Sequence, residues 1–214
     1  SPPDRLMAHA YGCTDCALLL EALDQRPADL QIPDADQALR LAFEAERAIE
    51  NEEQLSNPAS LRIAEALRTS TTIPDHGQPS AGLIRNLLRS ARGELGRDPA
   101  LALSISDCAL HDLEKVNPST CDAQQLILLL GEVQKERANA LRLVGRFPEG
   151  LTACDEAESA FSRLTVSEPW LAMCAYVRAT ILRELDQLQT ALQLTSLAAA
   201  TFDRFGMEQR VVHC

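Results

Sequence analysis

The stretch ANALRLVGRFPEGLTACDEAESAFSR, residues 138–163, recurs 41 residues later as ATILRELDQLQTALQLTSLAAATFDR, residues 179–204. Seven of the 26 aligned positions are identical: Ala138/Ala179, Leu141/Leu182, Arg142/Arg183, Leu151/Leu192, Ala157/Ala198, Phe161/Phe202 and Arg163/Arg204. Val144/Leu185, Phe147/Leu188 and Gly150/Ala191 are similar. Small residues recur where two helices must approach closely, and a large apolar residue closes each second helix. An earlier copy, residues 83–115, fits less well: at an offset of 50, Arg92, Ala100 and Leu101 match Arg142, Gly150 and Leu151. A helix pair that recurs in this way buries its apolar face by stacking on its neighbours.

Outward from this repeat, proline punctuates the chain. Pro27, Pro33, Pro58, Pro74, Pro79, Pro99, Pro118, Pro148 and Pro169 fall near the ends of periodic stretches, where a helix tolerates them. The periodicity predicts helices over 14–26, 34–54, 58–69, 80–95, 99–115, 121–144, 149–164, 168–185 and 187–205. Asp34, Asn57, Asp98 and Ser167 are expected N-caps, and Asp98-Pro99 is a cap followed by proline at the first helical position. No alternating run of strand length is present. Residues 69–79, TSTTIPDHGQP, are polar, β-branched and broken by two prolines, and they read as a linker.

The repeated pattern, G-R-F-P-E-G-L…A…F in Gly145–Phe161 and D-Q-L-Q-T-A-L…A…F in Asp186–Phe202, resembles tetratricopeptide (TPR) repeats. Its helices and connections are longer than in the usual repeat of about 34 residues. The resemblance covers roughly 80–205. It lacks Trp or Tyr at the expected first-helix positions and a proline closing each repeat. It implies an all-α, right-handed helix-pair solenoid over 80–214, whose extended groove takes a peptide or a helix. The last residues, MEQRVVHC, read as the opening of another first helix, capping the stack or leading into a longer array.

One chemical motif stands near the start: His9-Ala-Tyr-Gly-Cys13-Thr-Asp-Cys16, H-x3-C-x2-C. Two thiolates in C-x2-C grip one tetrahedral ion, an imidazole one turn earlier supplies a third ligand, and this donor set favours Zn²⁺ over Mg²⁺ or Ca²⁺. A C-x2-C pair also serves as a redox couple, and cysteines also simply fill helix faces, so a thiol switch and plain packing stand beside zinc. The fourth ligand is not obvious: Asp4 is very close, His76, His111, His213 and Cys214 are distant, and a ligand upstream of Ser1 would fit. Followed by the amphipathic stretch Leu18, Leu19, Leu20, Ala22 and Leu23, the motif resembles the zinc-binding anti-sigma-factor domain of bacteria, over residues 4–50. In that family zinc organises a small helical bundle that wraps a sigma factor, and some members use the cysteines as a redox sensor. The resemblance implies His9, Cys13 and Cys16 as metal ligands. A zinc-binding head joined to TPR-like helices also looks like a recurring type of bacterial regulatory protein.

The 214 residues carry a net charge of −11, and residues 1–80 hold 14 acids and 6 bases of it, net −8. This argues against direct nucleic-acid binding and against an anionic membrane surface, both of which need clustered cations. The longest purely apolar run, Leu126–Leu130, is far short of the roughly 18 residues of a spanning helix. Seven cysteines, an odd number in a helical pattern, do not read as a disulfide framework, so a reducing cytoplasm is expected.

Most other polar residues have an ordinary reading. Asp34, Asp36, Glu44, Glu46, Glu50, Glu52 and Glu53 are expected to form the solvated face of a helix. Cys108, Cys121, Cys154 and Cys174 are expected to pack inside helical stretches, and His111 on a helix face. Asp155, Glu156 and Glu158 read as surface carboxylates. Arg142, Arg146, Arg178 and Arg183 either line one side of the array and bind an acidic peptide or pair with Glu136 and Glu184. G-x-S-x-G, glycine-rich phosphate-loop and H-E-x-x-H motifs are absent. The sequence therefore reads as an acidic helical region with the H-x3-C-x2-C motif (1–70), a linker (71–79) and TPR-like repeats (80–214). The expected function is non-catalytic: an anti-sigma-like regulator contacting a protein or peptide partner, with homo-oligomerisation open. The alternatives are a plain TPR adaptor or a thiol sensor using Cys13 and Cys16.

Overall fold

Pro58 does not break the helix that contains it. A computed structural model describes residues 35–207, with side chains from residue 47 onward, and its first helix, α1, runs Ala35–Arg68. This corrects the expectation of two helices, 34–54 and 58–69, divided by an Asn57 cap. Pro58 lies on an exposed turn, where water can satisfy the carbonyl that loses its donor. Asn57 is an acceptor through its backbone carbonyl, which takes a hydrogen bond of 2.8 Å from Ser60 Oγ. The expected helix over 14–26 and the Asp34 cap lie outside the described residues.

By compactness the chain divides into two units, Ser1–Glu52 and Glu53–Cys214. In the second unit six helices follow α1: α2 Ala81–Glu94, α3 Pro99–Leu113, α4 Ala123–Leu143, α5 Phe147–Phe161, α6 Glu168–Glu184 and α7 Leu188–Arg204. Among the described residues there is no strand, in accord with the expected all-α class.

Local chemistry sets most helix starts. Asp98 caps α3 by accepting from the Leu101 amide at 3.0 Å, with Pro99 behind it, as expected. Ser80 and Asp122, not singled out from sequence, cap α2 and α4. Ser167 precedes α6 but makes no side-chain cap bond and has helical backbone angles, so Glu168-Pro169 starts that helix without it.

Consecutive helices pack against one another from α2 to α7, and α4 also meets α2 and α6. The N-terminal core joins Ile63 and Ala64 of α1 to Ile84, Leu87, Leu88, Leu101, Ile105 and Val133. The next core gathers Leu103, Ala138, Leu141, Cys154, Phe161 and Ile181 from α3 to α6. Phe161 stacks on Trp170 at 6.0 Å. Gly131 of α4 is what lets Phe161 in: a Cβ there would stand 2.8 Å or closer to three ring carbons. Forty-one residues on, Ala172 and Phe202 are packed in one buried cluster.

The 41-residue spacing also holds in the backbone. Gly145 (φ 78°) and Asp186 (φ 60°) both take the left-handed conformation after their helices. Arg146 N donates to Leu141 O at 2.8 Å and Gln187 N to Leu182 O at 2.9 Å, the same helix-ending bond. Arg146 and Gln187 then share backbone angles near φ −90°, ψ 58° (−91°, 59° and −87°, 57°). The earlier copy obeys a different offset from the expected 50. The N-caps Asp98 and Arg146 are 48 apart, and this places Ile105, Ser106 and Ala109 on Ala153, Cys154 and Ala157, all fully buried. Two residues, Gly96 and Arg97, separate the α2 and α3 caps, whereas Gly145 alone separates those of α4 and α5.

Residues 71–79 are docked on the end of α3. Ile73 packs against the N-terminal core, His76 Nε2 lies 2.9 Å from Asp112 Oδ2, and Gln78 Nε2 donates to Lys115 O at 3.0 Å.

Candidate functional site

His9, Cys13 and Cys16 lie outside the described residues, as do His213 and Cys214. Among the described residues no cluster of three or more His, Cys, Asp or Glu is arranged to hold a metal ion. The chemistry on view is therefore that of the charged groups inside the repeat unit.

The most developed site is a cleft of about 240 Å³ between α4 and α6, lined by Lys135, Glu136, Asn139, Met173, Tyr176 and Val177 and by Phe202 of α7. Helical spacing brings Lys135, Glu136 and Asn139 to one side of α4. Lys135 and Glu136 are buried and pair at 2.9 Å. Arg92 reaches across from α2, its Nε 2.7 Å from Glu136 Oε1 and its Nη2 2.9 Å from Glu132 Oε1. Burial works against the Glu136 charge, but Lys135 and Arg92 outweigh it and hold the carboxyl below its ordinary range. Such a network keeps its charges buried only because each is paired and hydrogen-bonded. The lining carries no Ser, Cys or His, so it offers charge and amide contacts beside Met173 and Phe202 rather than a nucleophile.

The four arginines expected to line one side do not act together. Arg178 ties α6 to α5, with Nη2 2.6 Å from Asp155 Oδ1 and Nε 3.0 Å from Glu158 Oε1. Arg137 ties α4 to α3 in the same manner, 2.6 Å from Asp107. Arg137 and Arg178 are 41 residues apart, Asp107 and Asp155 are 48 apart, so the ion pair belongs to the repeat. Arg146 pairs with Glu149 one turn on and Arg183 with neighbouring Glu184. Arg142 donates to Asn139 Oδ1 at 3.0 and 3.2 Å, and burial lowers its pKa. Glu136 pairs with Arg92 and Lys135 instead of with any of the four. Sequence reading missed Arg92 because its partners lie 40 and 44 residues away.

A second hollow of about 400 Å³ between α4 and α5 is lined by Leu130, Gln134, Asp155, Glu156, Ser159, Ala160 and Arg163. Gln134 is buried, and its Oε1 has no hydrogen-bond partner.

The cysteines divide. Cys154 and Cys174 are fully buried, and Cys174 Sγ donates to Cys154 O at 3.4 Å. The hydrogen-bonding contact with Cys154 and burial push the Cys174 thiol far up. Cys108 is half-buried, and burial beside Asp112 pushes its thiol up to about 11. Cys121 is half-buried and stands just before the α4 cap, not inside a helix as expected. His76, Asp112 and Cys108 meet with the carboxylate in the middle: Cys108 Sγ is 4.0 Å from Asp112 Oδ2. A protonated thiol pointed at a carboxylate is not an activated nucleophile, which needs a base at the sulfur and a lowered pKa. His111 is exposed on α3, the helix-face position expected of it.

Among the described residues no helix is long and apolar enough to cross a membrane. Compared with known proteins, the chain matches no family model, no curated protein and no solved structure.

Proposed function

We propose that the chain is a non-catalytic protein–protein interaction module: a TPR-like, right-handed helix-pair solenoid bearing a zinc-binding head of anti-sigma type on His9, Cys13 and Cys16. The observation that carries the solenoid reading is the recurrence of one unit at several levels. The same left-handed turn follows α4 and α6, the same small-under-aromatic contact recurs, and the same Arg–Asp pair ties each first helix to the second helix before it. Stacks of this kind present the faces of their first helices as an extended surface. The cleft on α4 and α6, with its paired charges beside Met173 and Phe202, is where a peptide of mixed polarity would bind. The head reading rests on the spacing of His9, Cys13 and Cys16 and on the acidity of the first 80 residues, which suits a basic protein surface.

Two measurements on the full chain test the reading. Metal analysis is expected to give about one zinc per chain, abolished by Cys13→Ser. Sigma factors purified from bacteria are expected to bind the immobilised chain, and Cys13→Ser and Cys16→Ser are expected to release them. Zinc at stoichiometry with no sigma factor retained would leave an adaptor with a structural metal and sink the anti-sigma reading.

A further inference from the structure

The second helices of the three pairs carry the same leucine, and only the last is bare. Leu103 of α3 is buried at 8%, in the cluster that includes Ala138, Ala140 and Leu141 of α4. Leu151 of α5 is half-buried against Ala179 and Leu182 of α6. Leu192 of α7 is 68% exposed, and Leu188, the counterpart of Phe147, is 57% exposed. The polar positions of the seam follow suit. Ser106 and Cys154 are fully buried, whereas Thr195, their counterpart, is half-exposed.

The seam ion pair is missing from α7 in a telling way. Asp107 and Asp155, which receive Arg137 and Arg178, correspond to Ser196, and Glu158 corresponds to Ala199. No charged residue stands anywhere from Gln187 to Phe202. A helix exposed on most sides ordinarily carries charge there, so a neutral one with bare leucines marks a face that is covered in use. The two inner seams state what covers it.

We propose that the outer face of α7, formed by Leu188, Leu192, Thr195, Ser196 and Ala199, docks an amphipathic α-helix of a partner protein, lying on α7 as α4 lies on α3 and α6 on α5. The docked helix presents small and leucine-like residues to the leucines, and a neutral residue where α4 and α6 carry Arg137 and Arg178. An arginine at that point would bury its charge against Ser196 and Ala199 with no carboxylate to receive it. The proposal rests on the helix-pair reading of the array and is independent of the zinc head.

The probe is a fluorescein-labelled synthetic peptide of residues 168–185 with Cys174→Ala and Arg178→Ala, titrated with the full chain by anisotropy. Saturable binding is expected, weakened at least about tenfold by Leu192→Glu in the chain, because a carboxylate would be buried in the apolar seam. The same peptide with Arg178 retained is expected to bind at least about fivefold more weakly. The Asn139→Ala chain, altered in the cleft, should bind as the parent does. Absence of binding, or equal binding by the Leu192→Glu chain with an unchanged melting curve, overturns the proposal. So does Leu192-dependent self-association in sedimentation velocity, which would make a second copy the occupant, or Leu192-dependent binding to vesicles of anionic and neutral phosphatidyl lipids. The underlying register is read separately: Leu103→Ala and Leu151→Ala should lower the melting temperature while Leu192→Ala leaves it unchanged. Equal losses at all three would mean that the register has failed rather than the docking.

Discussion

Gly131 occupies the space under the Phe161 ring, and that contact is a sharp test of how α4 and α5 meet. Gly131→Ala forces a methyl group into a fully buried aromatic, and a destabilisation of about 1–3 kcal/mol is expected in urea unfolding despite the better helix propensity of alanine. The two left-handed residues differ in cost. Gly145→Ala should lose about 1 kcal/mol, while Asp186→Gly should be neutral or gain a few tenths, since glycine takes positive φ freely and aspartate does not. Glu136 gives a pH signature. Its carboxyl is held below the ordinary value of about 4.3, so its contribution is full above that pH and is lost as the pH falls through the lower folded value. Glu136→Gln should cost roughly 3 kcal/mol at neutral pH, by leaving buried Lys135 and partly buried Arg92 without their carboxylate. Its stability should also fall less steeply than the parent's below about pH 4, measured by unfolding across the acid range. Of these residues only Gly145 lay within the repeat recognised from the sequence. Gly131 needed the structure because nothing local announces which ring will lie over a helical glycine.

At the scale of the element, sequence periodicity located the six helices of the repeat unit to within about two residues at most ends, because each has its own cap, proline or glycine punctuation. It erred where punctuation and packing disagree. Pro58 reads as a helix start, yet residues on both sides continue as one helix because Ala59, Ile63, Ala64 and Leu67 lie on the N-terminal core. Pro58→Ala is therefore expected to raise stability by about 1–3 kcal/mol, read by thermal melting, without a change in helical content beyond a turn. The offset of 50 failed for a related reason. One additional residue in the α2–α3 connection shifts the first and second helices of that pair by different amounts, and a rigid slide of the sequence cannot follow both.

For the whole molecule, charge was legible in sum but not in arrangement. The −11 says nothing of a buried chain of Arg92, Glu132, Glu136 and Lys135 running from α2 to α4, because pairing across 40 residues is decided by the stacking of helices. The segment at 71–79 illustrates the same limit. Its composition is that of a spacer, but His76, Gln78 and Ile73 fasten it to α3 and to the core beneath. This fastening has a practical consequence for anyone dividing the chain. A fragment starting at residue 80 would strip α1 from Ile84, Leu87 and Leu88 and leave the Asp112 carboxylate inside without His76. It should express as aggregate or with a weakened melt. A fragment starting at residue 53 keeps the Glu53 contacts with Asn86 and Arg89 and should purify as a cooperative, monodisperse species. The segment that looks like a seam for cutting is the lashing that lets the array stand apart from its head.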